Sequence, residues 1–481
     1  MNKAMIARIL GLTLGTEAVF MIPALLIALV RGENRAAFAF LCTIAVLFIA
    51  AFFLRRIRAK KDEYYAREGF LTVGLAWVLL SAFGALPLCL SGAVPSYIDS
   101  FFEIVSGLTT TGASVIADVE ALPMSILYWR SFTVWLGGMG VLVFVLAVTP
   151  AASRDGGAAM HLLRAESPGV NVGKLVPRMR RSTSILYIIY IGMSVLMLIF
   201  LLPDMPFFDA LTTVFATAGT GGFSVKNAGM SVYSTYSQTV ITVFMILFSV
   251  NFSVYYLLLV GKLRQALRSE ELHGFLLILF LSAAAVAVNI QPIFGTLRAA
   301  FHQALFTVSS VMSTAGFAIS DFNTWPEFSR MVLVLLMFVG ACAGSTGGGL
   351  KVVRILLAVK IARRGVQRAV HPQQVRCIHM DGEAVDEDTC TSVSAFLLVY
   401  AMLFFLLLLL LAPEGLDFTT TFSAAASCFN NVGPGLGLVG PMSNYGCFSW
   451  YGKLLLSAAM LFGRLELYPM LLLFLPSAWR K

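Results

Sequence analysis

Ten apolar segments, each about as long as a bilayer is thick, constrain the fold of this 481-residue chain more than any other feature. A helix of about 20 apolar residues can cross a bilayer, whereas a helix of about 10 to 14 cannot. Only 12% of the residues are charged, against roughly 25% in soluble globular domains. The sequence therefore predicts an all-α polytopic membrane protein. Its ten predicted transmembrane helices cover residues 9–30, 36–54, 69–92, 124–148, 183–203, 236–261, 273–292, 329–358, 392–412 and 447–475.

Four shorter apolar pieces lie between these spans, at residues 99–111, 207–219, 299–313 and 417–430. We expect Asp99 and Asp417 to accept the free N–H groups of two first turns, Asp209 to lie within a first turn, and Thr296 to begin the third piece. A helix this short must return through the membrane as non-helical backbone. Such backbone is tolerated only where it lines a water-filled cavity or is buried in protein. The pattern therefore predicts four re-entrant pore half-helices.

A glycine in an apolar, hydroxyl-rich setting follows each half-helix, at Gly112, Gly222, Gly316 and Gly433. Recurrence of one unit, with separations of 110, 94 and 117 residues between these glycines, predicts four membrane-pore-membrane repeats in a pseudo-fourfold arrangement around a common axis. We place two extra N-terminal spans and a cytoplasmic loop in residues 1–68. The four pore repeats are predicted at residues 69–150, 183–262, 272–365 and 391–481.

The distribution of lysine and arginine predicts the orientation. Loops 55–68, 151–182 and 351–390 are rich in both residues, which places them in the cytoplasm. The opposite loops are acidic, so both termini are expected in the cytoplasm and the glycine loops are expected to open outward. The first apolar run is too long for a signal peptide and is interpreted as a retained span. The net charge of +9 follows from this topology and gives no support to nucleic-acid binding.

A ring of four glycine loops suits a monovalent cation. Glycine adopts positive φ readily, and inward-facing carbonyl oxygens can replace the hydration shell of such an ion. Each half-helix also directs its partially negative C-terminal end toward the ring. The arrangement thus predicts a cation-conducting pore.

The loop sequences TTTGAS, TAGF and NNVGPG, with the runs GSTGGGLK and RLELYP, resemble those of the Trk, Ktr and HKT potassium transporters, and in particular the bacterial Trk subgroup. The resemblance extends from Gly69 to Lys481, and the extra pair of N-terminal spans is similar to that subgroup. The second loop, AGTGGFS, departs most from the pattern. The resemblance implies potassium uptake through a selectivity filter that binds K⁺ at Thr110, Thr111, Gly112, Thr220, Gly221, Gly222, Thr314, Ala315, Gly316, Asn431, Val432 and Gly433.

A glycine-rich segment, residues 340–351, interrupts the eighth predicted span. Glycine destabilises a helix by about 1 kcal/mol relative to alanine, so the run favours local unwinding. The residues themselves leave two interpretations open: a flexible segment that blocks the pore, or a small-residue packing face. The resemblance implies an intramembrane gating loop, which we assign to Gly344, Ser345, Thr346, Gly347, Gly348, Gly349 and Lys351.

Arg464, in the last predicted span, is the third candidate site. An ionisable residue within a membrane normally faces a partner or an aqueous cavity. The resemblance implies a basic residue beneath the filter that tunes conductance by repelling cations. The alternative is a structural arginine paired with Glu466 or with a backbone carbonyl.

No other chemistry is indicated by the sequence. The five histidines and seven cysteines lack metal-ligand spacing, and the odd cysteine count implies no disulfide framework. No phosphate-binding or dinucleotide fingerprint occurs. We therefore expect no enzyme and no organic cofactor, with potassium as the only ion. Two alternatives stay open: a secondary transporter of sodium or of a small organic solute, and, less favoured, a membrane-embedded enzyme.

The resemblance also implies partners and a location. It suggests a homodimer, surrounded by membrane lipid in the bacterial inner membrane, that associates with a cytoplasmic, TrkA-like nucleotide-binding regulatory subunit. Loops 151–182 and 351–390 are the available docking surfaces. Whether transport is coupled to protons or sodium, as in a symporter, is left open by the sequence.

Overall fold

The computed structural model describes residues 3–57, 66–140, 179–371 and 376–479. Six of its helices are long and apolar enough to cross a membrane, which supports the predicted membrane-protein class. A seventh candidate is a helix pair bent by 89°, Thr235–Ser249 with Phe252–Leu259. The six spans are Lys3–Arg31, Asn34–Arg56, Arg67–Leu90, Ser184–Leu201, Glu270–Phe294 and Glu387–Glu414.

Four short helices lie close to the positions expected for half-helices: Tyr97–Leu108, Phe207–Ala218, Leu297–Met312 and Phe418–Phe429. Their start signals agree with three of the four expectations, because Thr296 and Asp417 are N-caps and Asp209 lies in a first turn. The expectation for Asp99 is wrong. Ser96 caps that helix through the backbone N–H of Asp99, and the freed carboxylate instead accepts a 2.7 Å hydrogen bond from Lys453 Nζ.

The helices that follow the second, third and fourth short helices are broken, which differs from the continuous spans expected at 236–261, 329–358 and 447–475. Their first parts are Thr235–Ser249, Glu327–Val339 and Trp450–Arg464. The span expected at 124–148 begins as Met124–Gly138, and its residues 141–148 lie outside the described residues. The sequence predicted a break only in the third. In the second, Asn251 caps a new helix that turns away, and in the fourth Glu466 and Leu467 adopt positive φ before Tyr468–Phe474 begins.

Each short helix, with the glycine loop and the helix that follow it, forms one unit, and the units are numbered in chain order. The remaining helices connect these units or flank them. They are Ala66–Gly84 and Leu86–Leu90 within the third span, Met179–Leu201, Leu263–Ala266, Val352–Val370, Glu387–Leu411 and Pro476–Trp479. Within the described residues, the only sheet is a two-stranded antiparallel hairpin, His379–Met380 with Glu383–Ala384. The first two helices pack on each other and on the helices of the first unit.

Several predicted features lie outside the described residues. Residues 58–65 of the predicted loop 55–68, residues 141–148 of the fourth predicted span and residues 151–178 of the predicted loop 151–182 belong to this group.

Candidate functional site

All four short helices end in the same turn. In each, the N–H group two residues beyond the C-cap donates to a carbonyl five positions back, with N–O distances of 2.8–2.9 Å, as in a Schellman motif. The residue before that donor is left-handed, although it is not glycine. These residues are Thr110, Thr220, Thr314 and Asn431, with φ between 56° and 60°.

Left-handed backbone costs a non-glycine residue about 1–2 kcal/mol, so surrounding contacts must hold these four turns. At two of the four residues these contacts are hydrogen bonds of the side chain. Asn431 Nδ2 donates to Thr111 Oγ1 at 3.0 Å and to the carbonyl of Met460 at 2.9 Å. Thr314 Oγ1 accepts from the N–H of Gly348 at 2.7 Å. Strain that recurs at four equivalent positions indicates a functional site.

The four glycines that follow also have positive φ, and each packs on the backbone of the next unit. A methyl group on Gly112 would lie 2.2 Å from the carbonyl oxygen of Gly221, and one on Gly433 would lie 2.6 Å from that of Thr111. A methyl group on Gly222 would lie 1.9 Å from the carbonyl oxygen of Ala315, and one on Gly316 would lie 2.2 Å from that of Val432. Unit one therefore touches unit two, two touches three, three touches four, and four returns to one.

The ring of glycine loops, residues 110–112, 220–222, 314–316 and 431–433, is thus closed through backbone contacts. The structure brings together all twelve residues assigned to these loops from the sequence. The second loop, the most divergent in sequence, has the same turn as the others. Its Thr220 and Gly222 match Thr110 and Gly112 in the sign of φ. A cavity of about 160 Å³ opens on one side of the ring, and all four glycines line it.

A buried ion pair holds the first two loops together. Arg130 Nε donates to Glu103 Oε1 at 2.5 Å, and the two side chains are 3% and 0% exposed. Glu103 also accepts from Ser114 Oγ and from the backbone N–H of Val115, both at 3.0 Å. On the other side, Arg130 donates to the carbonyl of Ser224 at 3.0 Å and lies over the ring of Phe223, 3.6 Å from its centroid.

This pair is not predicted by the sequence motifs. The only signal was a carboxylate within one apolar segment and an arginine within another, since an intramembrane charge requires a partner. The pair joins the stretch after Gly112 to the stretch after Gly222. It therefore fixes the position of two glycine loops relative to each other.

We predict that Glu103→Gln lowers the melting temperature of the purified protein in detergent strongly, because it leaves a buried arginine without its counter-charge. Breaking one side of such a pair costs about 3–5 kcal/mol. Asp99→Asn is the matched control, since the pair of Asp99 with Lys453 is partly exposed and such pairs contribute about 0–1 kcal/mol. The double variant Glu103→Gln/Arg130→Met should be less destabilised than Glu103→Gln alone. Equal melting temperatures for Glu103→Gln and Asp99→Asn would contradict a stabilising role of the ion pair between Glu103 and Arg130.

The glycine-rich segment lies against the ring and reaches all four units. Its backbone has positive φ at Gly340, Gly344, Gly349 and Lys351. Besides the contact with Thr314, Thr346 Oγ1 donates to the carbonyl of Phe248 at 3.1 Å. A methyl group on Gly347 would lie 2.8 Å from the carbonyl oxygen of Ser313, and one on Gly348 would lie 2.6 Å from that of Asn430. The side chain of Thr346 packs against Gly138.

Two side chains outside this segment form hydrogen bonds with its backbone. Glu271 accepts the backbone N–H of Ala343 at 2.7 Å. Arg464 donates to the carbonyl of Thr346 at 2.8 Å. Lys351 is buried at the end of the segment and donates to the carbonyl of Gly347.

Arg464 connects the glycine-rich segment to the ring. Its guanidinium donates to Thr110 Oγ1 at 3.1 Å and to the carbonyls of Gly137 and Gly138 at 2.6 and 2.8 Å. Glu466 was expected as a possible partner of Arg464 but forms its ion pair with Arg354. Arg464 therefore pairs with backbone carbonyls, which was the other part of the structural alternative. Its hydrogen bond to Thr110 lies at the turn of the first loop.

Two carboxylates outside the ring, Asp118 and Asp417, are stabilised in their charged form by hydrogen bonds. A hydrogen bond from the Asn227 amide, 2.7 Å from Asp118 Oδ1, lowers the pKa of Asp118 below its ordinary value. Hydrogen bonds from Thr420 lower the pKa of Asp417 in the same way. Negative charge on these carboxylates raises the local concentration of cations, within a Debye length of about 8 Å.

Comparison with known proteins supports a single family. The model of the cation transport protein family TrkH matches residues 36–288 and 293–481. The chain is 37% identical to the Trk system potassium uptake protein TrkH of Vibrio parahaemolyticus over 486 residues, which cover 99% of both chains. It is 36% identical to the protein of the same name from Escherichia coli (strain K12) over 489 residues, covering both chains fully.

The structure is also similar to a solved one. The crystal structure of the potassium transporter TrkH from Vibrio parahaemolyticus superimposes with a TM-score of 0.89, at 34% identity and with complete coverage of both chains. Sequence, family model and fold agree, and they confirm the family suggested by the loop motifs: this chain belongs to the TrkH family of cation transport proteins.

Proposed function

We propose that this chain carries potassium into the cell through a gated, channel-like pore whose filter is the ring of glycine loops. The observation that carries the proposal is the closed cycle of backbone contacts among the four loops. Relatives that match the whole chain are named potassium uptake proteins, which supports potassium as the ion.

The physical basis of selectivity is the backbone. Carbonyl oxygens of the loops would replace the hydration shell of the ion. The partially negative C-terminal ends of four short helices would favour a cation over an anion. The left-handed turns, held by contacts such as that between Asn431 and Thr111, would keep these oxygens in place. Because no side-chain carboxylate belongs to the ring, the charge of the site would come from peptide dipoles.

The glycine-rich segment would act as the gate. Its contacts with all four units support a position across the ion path, and Arg464 would both fasten it and repel cations. We further propose that the broken helices complete ten membrane crossings, with four pore repeats at residues 69–150, 183–262, 272–365 and 391–481. Both termini would be cytoplasmic, in the bacterial inner membrane.

The same proposal includes a homodimer and a cytoplasmic TrkA-like regulatory subunit that binds near loops 151–182 and 351–390. The basic side chain of Arg368 in loop 351–390 is exposed and would be accessible to such a partner.

The direct test is potassium-dependent growth. Expression in a cell deficient in potassium uptake should restore growth at limiting potassium, and the purified protein in liposomes should admit rubidium in preference to sodium. Rescue by sodium, or flux without preference between the two ions, would contradict a potassium filter. Uptake of an organic solute without rubidium flux would favour the secondary-transporter alternative.

We predict that Arg464→Gln raises rubidium flux through the liposome-reconstituted protein. The change removes a positive charge from the proposed path and removes hydrogen bonds to Thr346 and Gly138. Arg464→Lys keeps the charge without the forked geometry, so its flux should lie between those of Arg464→Gln and the parent. Loss of the folded protein in both variants would show instead that Arg464 is required for folding.

A further inference from the structure

A basic pocket lies at the end of helix Val352–Val370 farthest from the glycine-rich segment. It is a cavity of about 270 Å³ between this helix and the stretch from Arg376 to His379. Its four cationic side chains are Lys360, Arg363, Arg364 and Arg376. Three of them lie on one helix face, because residues three and four apart are neighbours on a helix. The positive-inside pattern assigns this side to the cytoplasm.

Two of the four cations have no acidic partner among the described residues. Lys360 is paired with Glu270, and Arg364 with Glu387. Among the ion pairs of the described residues, none includes Arg363 or Arg376. Arg376 is oriented by a 3.0 Å hydrogen bond to Gln367 Oε1. The pocket thus presents two uncompensated guanidinium groups, the side chain best suited to bind a phosphate.

The level of the pocket in the membrane follows from the neighbouring helix Glu270–Phe294. Glu270, the partner of Lys360, is the first residue of the 25-residue helix Glu270–Phe294. At about 1.5 Å per residue this helix is roughly 37 Å long, longer than the hydrocarbon core of about 30 Å. Its first residue therefore lies at the level of the lipid headgroups, and so does the pocket.

An apolar stripe runs beside the pocket. Val359, Val366 and Val370 are 61%, 68% and 66% exposed on the same helix. Their spacing of seven and four residues places them on one face, next to the face of Lys360 and Arg363. A soluble phosphate would leave this stripe uncovered, whereas a lipid would bring acyl chains to it.

We propose that the basic pocket binds the phosphate headgroup of an anionic membrane lipid, with the acyl chains along Val359, Val366 and Val370. Basic pockets between helices on the cytoplasmic side are suited to such headgroups. The basic and apolar faces of one helix thus meet the two parts of one ligand.

Occupancy of the pocket also bears on the glycine-rich segment, and this part rests on the proposed gate. Glu270 contacts Lys360 at the pocket and accepts the backbone N–H of Asp381 at 3.1 Å. The adjacent Glu271 holds the N–H of Ala343 in the segment. A phosphate that draws Lys360 from Glu270 therefore acts one residue away from a contact of the segment, so headgroup binding changes the flux.

The binding test uses the purified full-length protein in detergent with phosphatidylglycerol, measured by native mass spectrometry. The parent should bind it at least tenfold more tightly than phosphatidylcholine. Arg363→Gln/Arg376→Gln should weaken binding by roughly five-fold for each arginine lost. The control Lys262→Gln/Arg264→Gln removes two exposed cations elsewhere and should have little effect, and Arg363→Lys/Arg376→Lys should bind within a few-fold of the parent.

Equal binding of the two phospholipids by the parent would overturn the proposal without any variant, as would equal loss in the two glutamine double variants. Displacement of the lipid by millimolar inorganic phosphate would assign the pocket to a soluble anion. Loss of dimer or of regulatory-subunit binding in Arg363→Gln/Arg376→Gln, with phosphatidylglycerol binding intact, would assign it to a protein. Either of these last two results would overturn the proposal of a lipid site.

The coupling is tested separately by rubidium flux in liposomes with and without phosphatidylglycerol. The parent and Lys262→Gln/Arg264→Gln should respond to the lipid alike, and Arg363→Gln/Arg376→Gln should not. Intact lipid binding with no effect on flux would overturn the coupling alone. Absence of any flux in the parent would instead contradict the proposed function and leave the binding result standing.

Discussion

Gly222→Ala is expected to reduce rubidium flux on the order of 10²-fold, because the new methyl group would lie 1.9 Å from the carbonyl oxygen of Ala315. Carbon and oxygen in contact are separated by more than 3 Å, so the neighbouring loop must move by about 1 Å. A displacement of about 1 Å at a site that depends on geometry costs roughly that factor. The measurement is initial rubidium uptake into liposomes, with growth at limiting potassium as a second readout.

Gly295→Ala is the matched control for this prediction. Gly295 has φ +74°, like the loop glycines, but a methyl group there would have no neighbour within 4 Å. It therefore carries the cost of left-handed backbone, about 1–2 kcal/mol, without the steric contact. Flux in Gly295→Ala should stay close to that of the parent. Equal losses in both variants would show that backbone strain, and not contact with Ala315, explains the effect.

The four loops themselves were predictable because they depend on local chemistry. Apolar length separates the short helices from the spans, and Asp417 and Thr296 are capping residues whose side chains act within one turn. The glycine-rich run of the third unit likewise disfavours helix in any context. In these places the sequence alone is sufficient.

The closure of the ring was not predictable in detail, because it is a tertiary property. Propensity disfavours positive φ at Thr110 and Asn431, and only contacts with other units permit it. The same holds for the broken fourth helix, because Leu467 differs from ordinary helix residues only in its surroundings. The break in the second helix had a local signal, since Asn251 is a favoured N-cap residue. Spacing suggested Glu466 as a partner for Arg464, whereas packing brings Arg354 to Glu466.

Deletion of residues 345–349 is expected to raise rubidium flux at least roughly tenfold. The deletion removes the hydrogen bonds of Thr346 to Phe248 and of Gly348 to Thr314, each contributing about 0.5–1.5 kcal/mol. If these bonds hold the segment across the path, their loss shifts the population toward the open state by the corresponding factor. The chain can close again, because Val352, just beyond the deletion, already donates its N–H to the carbonyl of Ala341 at 3.1 Å.

Two point variants show whether the effect comes from contacts between units. Thr346→Val removes the hydroxyl that bonds to Phe248, whereas Ser345→Ala removes one that bonds within the segment, to the carbonyl of Cys342. The first should raise flux and the second should not. The preference for rubidium over sodium should persist in the deletion variant, because every residue of the glycine ring is kept and the backbone contacts between its loops remain. Unchanged flux together with unchanged regulation would count against a gate, and lost ion preference would indicate that the segment instead supports the filter.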